Sequence, residues 1–145
     1  PGSWSQFVSR NFRNSKIVSI DLKEMEEIEN IYQIKGDFTD KLQQKKIIDY
    51  FGSKIDVVIS DIAVNTTGNK NVDSLVTGEL SIEALNFSAN TLKKHGSFVS
   101  KIFMGSSFNE IVEIAKKKFK EVNIFKPPAS RKSSKENFII CKHLR

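Results

Sequence analysis

Cysteine, histidine and long apolar runs are scarce in this chain, and each shortage closes off a class of protein. A single cysteine, Cys141, excludes an internal disulfide and fits a reducing compartment. The two histidines, His95 and His143, have no cysteine or carboxylate at metal-ligand spacing, so no metal site is expected. His95 reads as a helix-end cation or a surface residue. No run approaches the roughly 18 apolar residues of a membrane span. What remains is a chain of 145 residues, 39% hydrophobic with eleven phenylalanines. That is one domain's worth of globular protein, able to bury a core.

Charge is spread unevenly. Of 23 Lys and Arg and 17 Asp and Glu, residues 116–145 hold ten and two, leaving 13 and 15 before them. A basic final third on a near-neutral body fits a docking face for a polyanion. It also fits a solvated, solubilising surface, and charge alone favours that second reading slightly.

The pattern of apolar residues alternates between two periods. "KIVSID" (16–21), "IYQIKGD" (31–37) and "KIDVVISD" (54–61) read as strands, the last buried on both faces. "DKLQQKKIIDYF" (40–51) has helical spacing. A long helix is expected over 73–96, with Asp73 as N-cap and Gly96 after a basic last turn. "SFVSKIF" (97–103) is a strand, and 106–119 is a helix opened by a serine cap. Two strands, 121–125 and 136–142, follow in succession. The whole predicts an α/β doubly wound sheet, mostly parallel, with one antiparallel strand near the C-terminus. Residues 1–145 form one domain on this reading.

The chain opens on "PGSWSQ", a tight turn entering a helix that begins near "FVSRNF". Such a turn normally follows a strand, so a strand is expected upstream of Pro1, and an upstream targeting segment stays open. The predicted strands stop at charged residues: Asp21, Asp37 and Asp61, with Lys101 inside "FVSKIF". Ligands of open α/β sheets bind at the carboxyl ends of the strands. Each acid alone could cap a helix, but four charges at four strand ends point to one crevice. A lysine in a central strand is costly unless carboxylates pair with it, or unless it lies at an edge and snorkels. Asp21 lies 19 residues after Gly2, near the interval at which an acid holds ribose hydroxyls in nucleoside-binding folds. Gly2 admits a ligand close to the backbone and Trp4 offers an apolar wall. A dinucleotide such as NAD remains open at this level.

"PGSWSQ", "SIDL", "IKGDFTD", "VVISDIAVNTTGNKNVD", "GSFVSKIF" and "KPPASRKSSKENFIIC" together resemble the successive motifs of the FtsJ-type ribosomal RNA ribose 2′-O-methyltransferases. The resemblance covers essentially the whole chain. It implies an S-adenosylmethionine-dependent Rossmann-like fold that methylates a uridine ribose in large-subunit rRNA, in the cytoplasm and as a monomer. It implies cofactor contacts at Gly2, Trp4, Asp21, Asp37 and Asp61. It also implies that Asp61, Lys101 and Glu136 are the last three members of a Lys-Asp-Lys-Glu catalytic tetrad, whose first lysine and first strand would precede Pro1. Ser3 and Val64 depart from the family's usual Gly and Pro. The linker "KPPASRKSSK" (126–135) carries Lys126, Arg131, Lys132 and Lys135 among serines and leads directly to Glu136, which fits contacts to RNA phosphates. A tRNA or mRNA-cap ribose methyltransferase, or an inactive RNA-binding relative, would share most of these features.

The residues suit methyl transfer. Displacement at a sulfonium needs no acid for its leaving group. It needs alignment and a way to handle the proton of the attacking hydroxyl. Lys101 could accept that proton as a neutral amine, or orient the hydroxyl and stabilise the alkoxide as a cation.

Overall fold

A computed structural model describes residues 3–61, 67–105, 107–126 and 136–145. Gly2, Val64, Arg131, Lys132 and Lys135 lie outside them. The chain divides into two compact units, Pro1–Ser53 and Lys54–Arg145.

The first unit contains α1 (Ser3–Asn11), β1 (Val18–Asp21), β2 (Tyr32–Lys35) and α2 (Lys41–Phe51). β1 and β2 pair in parallel, with Asp21 opposite Lys35. The segment between them is held from β2: the Gln33 side chain accepts from the Ile28 N–H at 2.8 Å and donates to the Glu26 carbonyl at 2.9 Å. The Ser5 hydroxyl donates to Ser19 at 3.1 Å, tying α1 to β1. α2 forms where the apolar spacing expects it. Asp40 caps its start by accepting from the Leu42 N–H, and Gly52 ends it at φ 65°, a left-handed conformation that glycine adopts at little cost.

The second unit contains β3 (Ile55–Ser60), α3 (Lys70–Thr91), β4 (Leu92–Phe103), α4 (Phe108–Lys118), β5 (Phe119–Phe125) and β6 (Glu136–Leu144). Its sheet has the order β3-β4-β6-β5. β3 and β4 are parallel, and β6 runs antiparallel to both of its neighbours. The late antiparallel strand expected from two consecutive apolar runs is therefore β6. Along β4 and β6 burial alternates with the period of two that a pleated strand imposes. Phe98, Ser100, Ile102, Ile139 and Cys141 are at most 1% exposed. They share the core with Leu85 of α3, Ile111 and Ala115 of α4, and Phe119. Val99, Lys101, Phe103, Phe138 and Ile140 occupy the half-buried face.

α3 buries hydroxyls without leaving them unpaired. Ser81, Ser88 and Thr91 each donate to the carbonyl four residues back, at 3.0, 2.8 and 2.7 Å. Gly78 of α3 faces Ser107 so closely that a Cβ there would run into the serine side chain. None of the described helices is long and apolar enough to cross a membrane.

The long helix with His95, the serine cap and β3 depart from what their sequences predict. The long helix begins at Lys70, where the Asn69 side chain accepts from the Asn71 and Val72 N–H groups. Asp73 is not the cap; it accepts from the N–H and hydroxyl of Thr67. The helix ends at Thr91, and "LKKHG" is the start of β4. There Leu92, 2% exposed, pairs with Ile55, and Lys93 meets Asp56 at 2.9 Å. Sheet pairing and burial outweigh the weak helical preference of this stretch. His95 consequently sits on β4 rather than at a helix end. Ser107 precedes α4 without a side-chain cap bond. Finally, β3 is not buried on both faces: Val57 and Ile59 are 51% and 44% exposed.

Candidate active site

Three of the sequence-predicted residues converge at one end of the second unit's sheet. Ser60 and Ser100 are the last aligned pair of β3 and β4, so Asp61 leaves β3 at the level at which Lys101 continues β4. Antiparallel β6 begins at this end. Phe138 lies opposite Lys101 and Glu136 opposite Phe103. Lys101 and Glu136 are thus diagonal neighbours on one face, within reach of long side chains. Their charges lie 3.8 Å apart, with the two side chains 26% and 35% exposed.

The surroundings of this trio explain how a strand interior tolerates a lysine. Lys101 points to the half-buried face, while its neighbours Ser100 and Ile102 carry the core face at 1% exposure each. The Glu136 carboxylate answers its charge. Asp61 is exposed just beyond β3. Lys126 follows β5 directly after Phe125, which pairs with Phe138, so this cation stands at the same sheet end as Glu136.

The first unit presents its own acids at the carboxyl ends of a parallel pair. Asp21 closes β1, and its backbone carbonyl accepts from Gly36 N–H at 2.9 Å. One carboxylate oxygen of Asp21 accepts from the Lys23 N–H at 2.9 Å. Asp37 follows β2 and is held by Thr39, whose N–H and hydroxyl donate to one oxygen at 2.9 and 2.7 Å. Those two hydrogen bonds, the hydroxyl's first, lower the Asp37 pKa and keep it ionised. Trp4 lies half-buried in the first turn of α1. Acceptor-only groups at the ends of β1 and β2 are the chemistry that ribose hydroxyls require, so these carboxylates fit a nucleoside-bearing cofactor.

Some of the site was not anticipated. Thr39 fixes the Asp37 carboxylate, and the Asp-x-Thr spacing of "DFT" is a local signal that would have found it. The buried polar residues Ser60, Ser100 and Asn137, each 7% exposed or less, sit one position from Asp61, Lys101 and Glu136. Only the strand register identifies them as part of the same sheet end.

The FtsJ-like methyltransferase family matches residues 1–144. The chain is 66% identical over 145 residues to ribosomal RNA large subunit methyltransferase E of Pelagibacter ubique, covering 100% of itself and 71% of that relative. It is 41% identical over 150 residues to a Dictyostelium discoideum protein assigned as a tRNA (cytidine(32)/guanosine(34)-2′-O)-methyltransferase, covering 99% of itself and 56% of that protein. Among solved structures, a Plasmodium falciparum protein assigned as a ribosomal RNA methyltransferase aligns with a TM-score of 0.84 at 31% identity. That alignment covers 99% of this chain and 81% of the other.

Proposed function

The chain belongs to the FtsJ-like methyltransferase family, and from that premise we propose that it methylates the ribose 2′-hydroxyl of a uridine in large-subunit ribosomal RNA, with S-adenosylmethionine as methyl donor. The observation that carries the reading is the Lys101–Glu136 pair beside Asp61 at one sheet end. Residues 1–145 act as one methyltransferase domain, working as a monomer in the cytoplasm.

When bound, S-adenosylmethionine supplies an electrophilic methyl carbon whose leaving group is a neutral thioether. Asp21 would hold the cofactor's ribose hydroxyls, Asp37 and Asp61 would accept from its remaining donors, and Gly2 and Trp4 would be further cofactor contacts. Lys101 Nζ donates to the attacking 2′-oxygen and stabilises the negative charge that develops there as the hydroxyl proton passes to solvent water. The ion pair with Glu136 supports this cationic role over that of a neutral base. Asp61 and Glu136 fix where the ammonium points. Lys126, with Arg131, Lys132 and Lys135, holds the RNA backbone by contacts to phosphates.

A tRNA substrate is the second reading, favoured by the 41% identity to the Dictyostelium protein. Labelled methyl transfer separates the two. The protein is incubated with S-adenosylmethionine and either unmodified large-subunit rRNA, assembled large subunits or tRNA, and the product is digested to nucleosides. Label in 2′-O-methyluridine from rRNA is expected. Label confined to tRNA establishes the second reading, and RNA binding without transfer would reveal an inactive relative.

A further inference from the structure

The fold separates the basic final third of the chain into two groups. Lys126 stands at the sheet end that carries Glu136. The rest goes to the opposite end. α4 finishes there on Lys116, Lys117 and Lys118, and Lys120 follows at the start of β5. β6 arrives at the same edge with Lys142 and Arg145. The contacts make the juxtaposition direct: Lys142 lies opposite both Ser97 and Glu121, and Phe119 opposite Leu144. Arg145 donates through its backbone N–H to the Lys118 carbonyl at 2.9 Å and through Nε to the Lys116 carbonyl at 2.7 Å.

Cations distant in sequence join this edge. Lys54 precedes β3, and Lys93 and Lys94 lie at the beginning of β4. His95 Nδ1 meets His143 Nδ1 at 3.2 Å, which pins the start of β4 to the end of β6. The edge thus gathers Lys54, Lys93 and Lys94 with the five lysines and one arginine that α4, β5 and β6 bring. Against these nine stand Asp56, already paired with Lys93, and Glu121.

Helix stabilisation does not account for this density. Cations in a last turn favour the helix dipole, which suits Lys116, Lys117 and Lys118. Lys94, Lys120 and Lys142 are exposed on strands, where no such dipole acts. Like charges held together repel, and a polyanion relieves that cost while releasing its own counterions.

We infer that this edge is a second RNA-docking face, which grips backbone phosphates away from the nucleotide being methylated; the inference rests on the methyltransferase reading. Six residue steps along β6 separate Lys142 from Glu136, about 20 Å at the rise of an extended strand. One ribose cannot touch both ends. An RNA that extends well beyond its target nucleotide can, so the face selects large, structured substrates.

The test replaces Lys94, Lys117, Lys120 and Lys142 together by Gln, which keeps the aliphatic stems. Binding is measured against salt for a large-subunit rRNA transcript and for a uridine trinucleotide too short to bridge the two ends. The expected result is a loss of tenfold or more on the transcript near 0.1 M salt. The slope of log affinity against log salt should become shallower by about 3–4, at roughly 0.7–0.9 for each of the four phosphates no longer neutralised. Trinucleotide and S-adenosylmethionine affinities should hold. Replacing the same four by Arg should retain the slope. An unchanged slope on the transcript overturns the inference. So does an equal loss when Arg10, Arg13, Lys45 and Lys46 are neutralised instead, since that reports net charge only. If the wild-type protein methylates rRNA and the quadruple variant binds it equally, this docking face alone falls. If the wild-type protein neither binds nor methylates RNA, both readings fall.

Discussion

Replacing Lys101 separates catalysis from folding because the two effects differ in size. The 3.8 Å ion pair with Glu136 joins side chains that are 26% and 35% exposed, so water can take over either charge. Pairs of this kind contribute about 0–1 kcal/mol to stability. Lys101→Met keeps the stem that lies beside Phe138 and removes only the ammonium. Its melting temperature should move by no more than about 4 °C, on the scale of a chain of this length. Methyl transfer should fall by about 10²–10⁴-fold, or about 2.7–5.4 kcal/mol in activation free energy. Single-turnover transfer of labelled methyl to rRNA measures the rate, with a thermal melt and cofactor calorimetry on the same samples. Lys101→Arg discriminates the role further. Guanidinium keeps its charge and cannot serve as a base, so partial activity supports alkoxide stabilisation and none supports proton abstraction. Transfer by Lys101→Met within about threefold of wild type refutes the catalytic assignment. A melt lowered by more than about 10 °C would make the residue structural.

Three further outcomes are expected. Asp21→Asn retains an acceptor for the Lys23 N–H but loses the charge, and should weaken S-adenosylmethionine binding by about 1–3 kcal/mol in calorimetry; unchanged affinity removes Asp21 from the cofactor site. Burial pushes the Cys141 thiol up from 9.0 to about 12. Above pH 9.0 the unfolded chain releases this proton while the folded chain keeps it, so stability should fall as pH rises through that window. The excess slope over Cys141→Ala should approach about 1.4 kcal/mol per pH unit in urea titrations, and parallel curves for the two proteins would refute it. Gly78→Ala should lower stability by about 1–2 kcal/mol despite the better helix former, because its methyl meets Ser107, and adding Ser107→Gly should restore the loss. A more stable single variant would show that α3 and α4 separate freely.

What the sequence by itself determined is what local chemistry controls. Apolar runs bounded by turns and charges predicted the six described strands, though not the first five residues of β4, and the helical spacing around Asp40 predicted α2, because strand and helix each impose their own pattern on the chain. The stops at Asp21, Asp37 and Asp61 were legible for the same reason: a buried strand ends where a charge must reach water. The motifs around Lys101 and Glu136 carried the family resemblance, but not their contact. Their 3.8 Å separation follows from the antiparallel register of β4 and β6, which is set by packing Phe98, Ile102, Ile139 and Cys141 into one face. Tertiary structure also decided where α3 stops, since the gain at Leu92 comes from Ile55 on another strand. It split the basic final third as well. The charges after residue 115 read as one cluster along the chain, yet α4 runs to one sheet end, β5 leads away from it, and β6 runs back towards it. Net charge belongs to composition; which phosphates it can meet belongs to register.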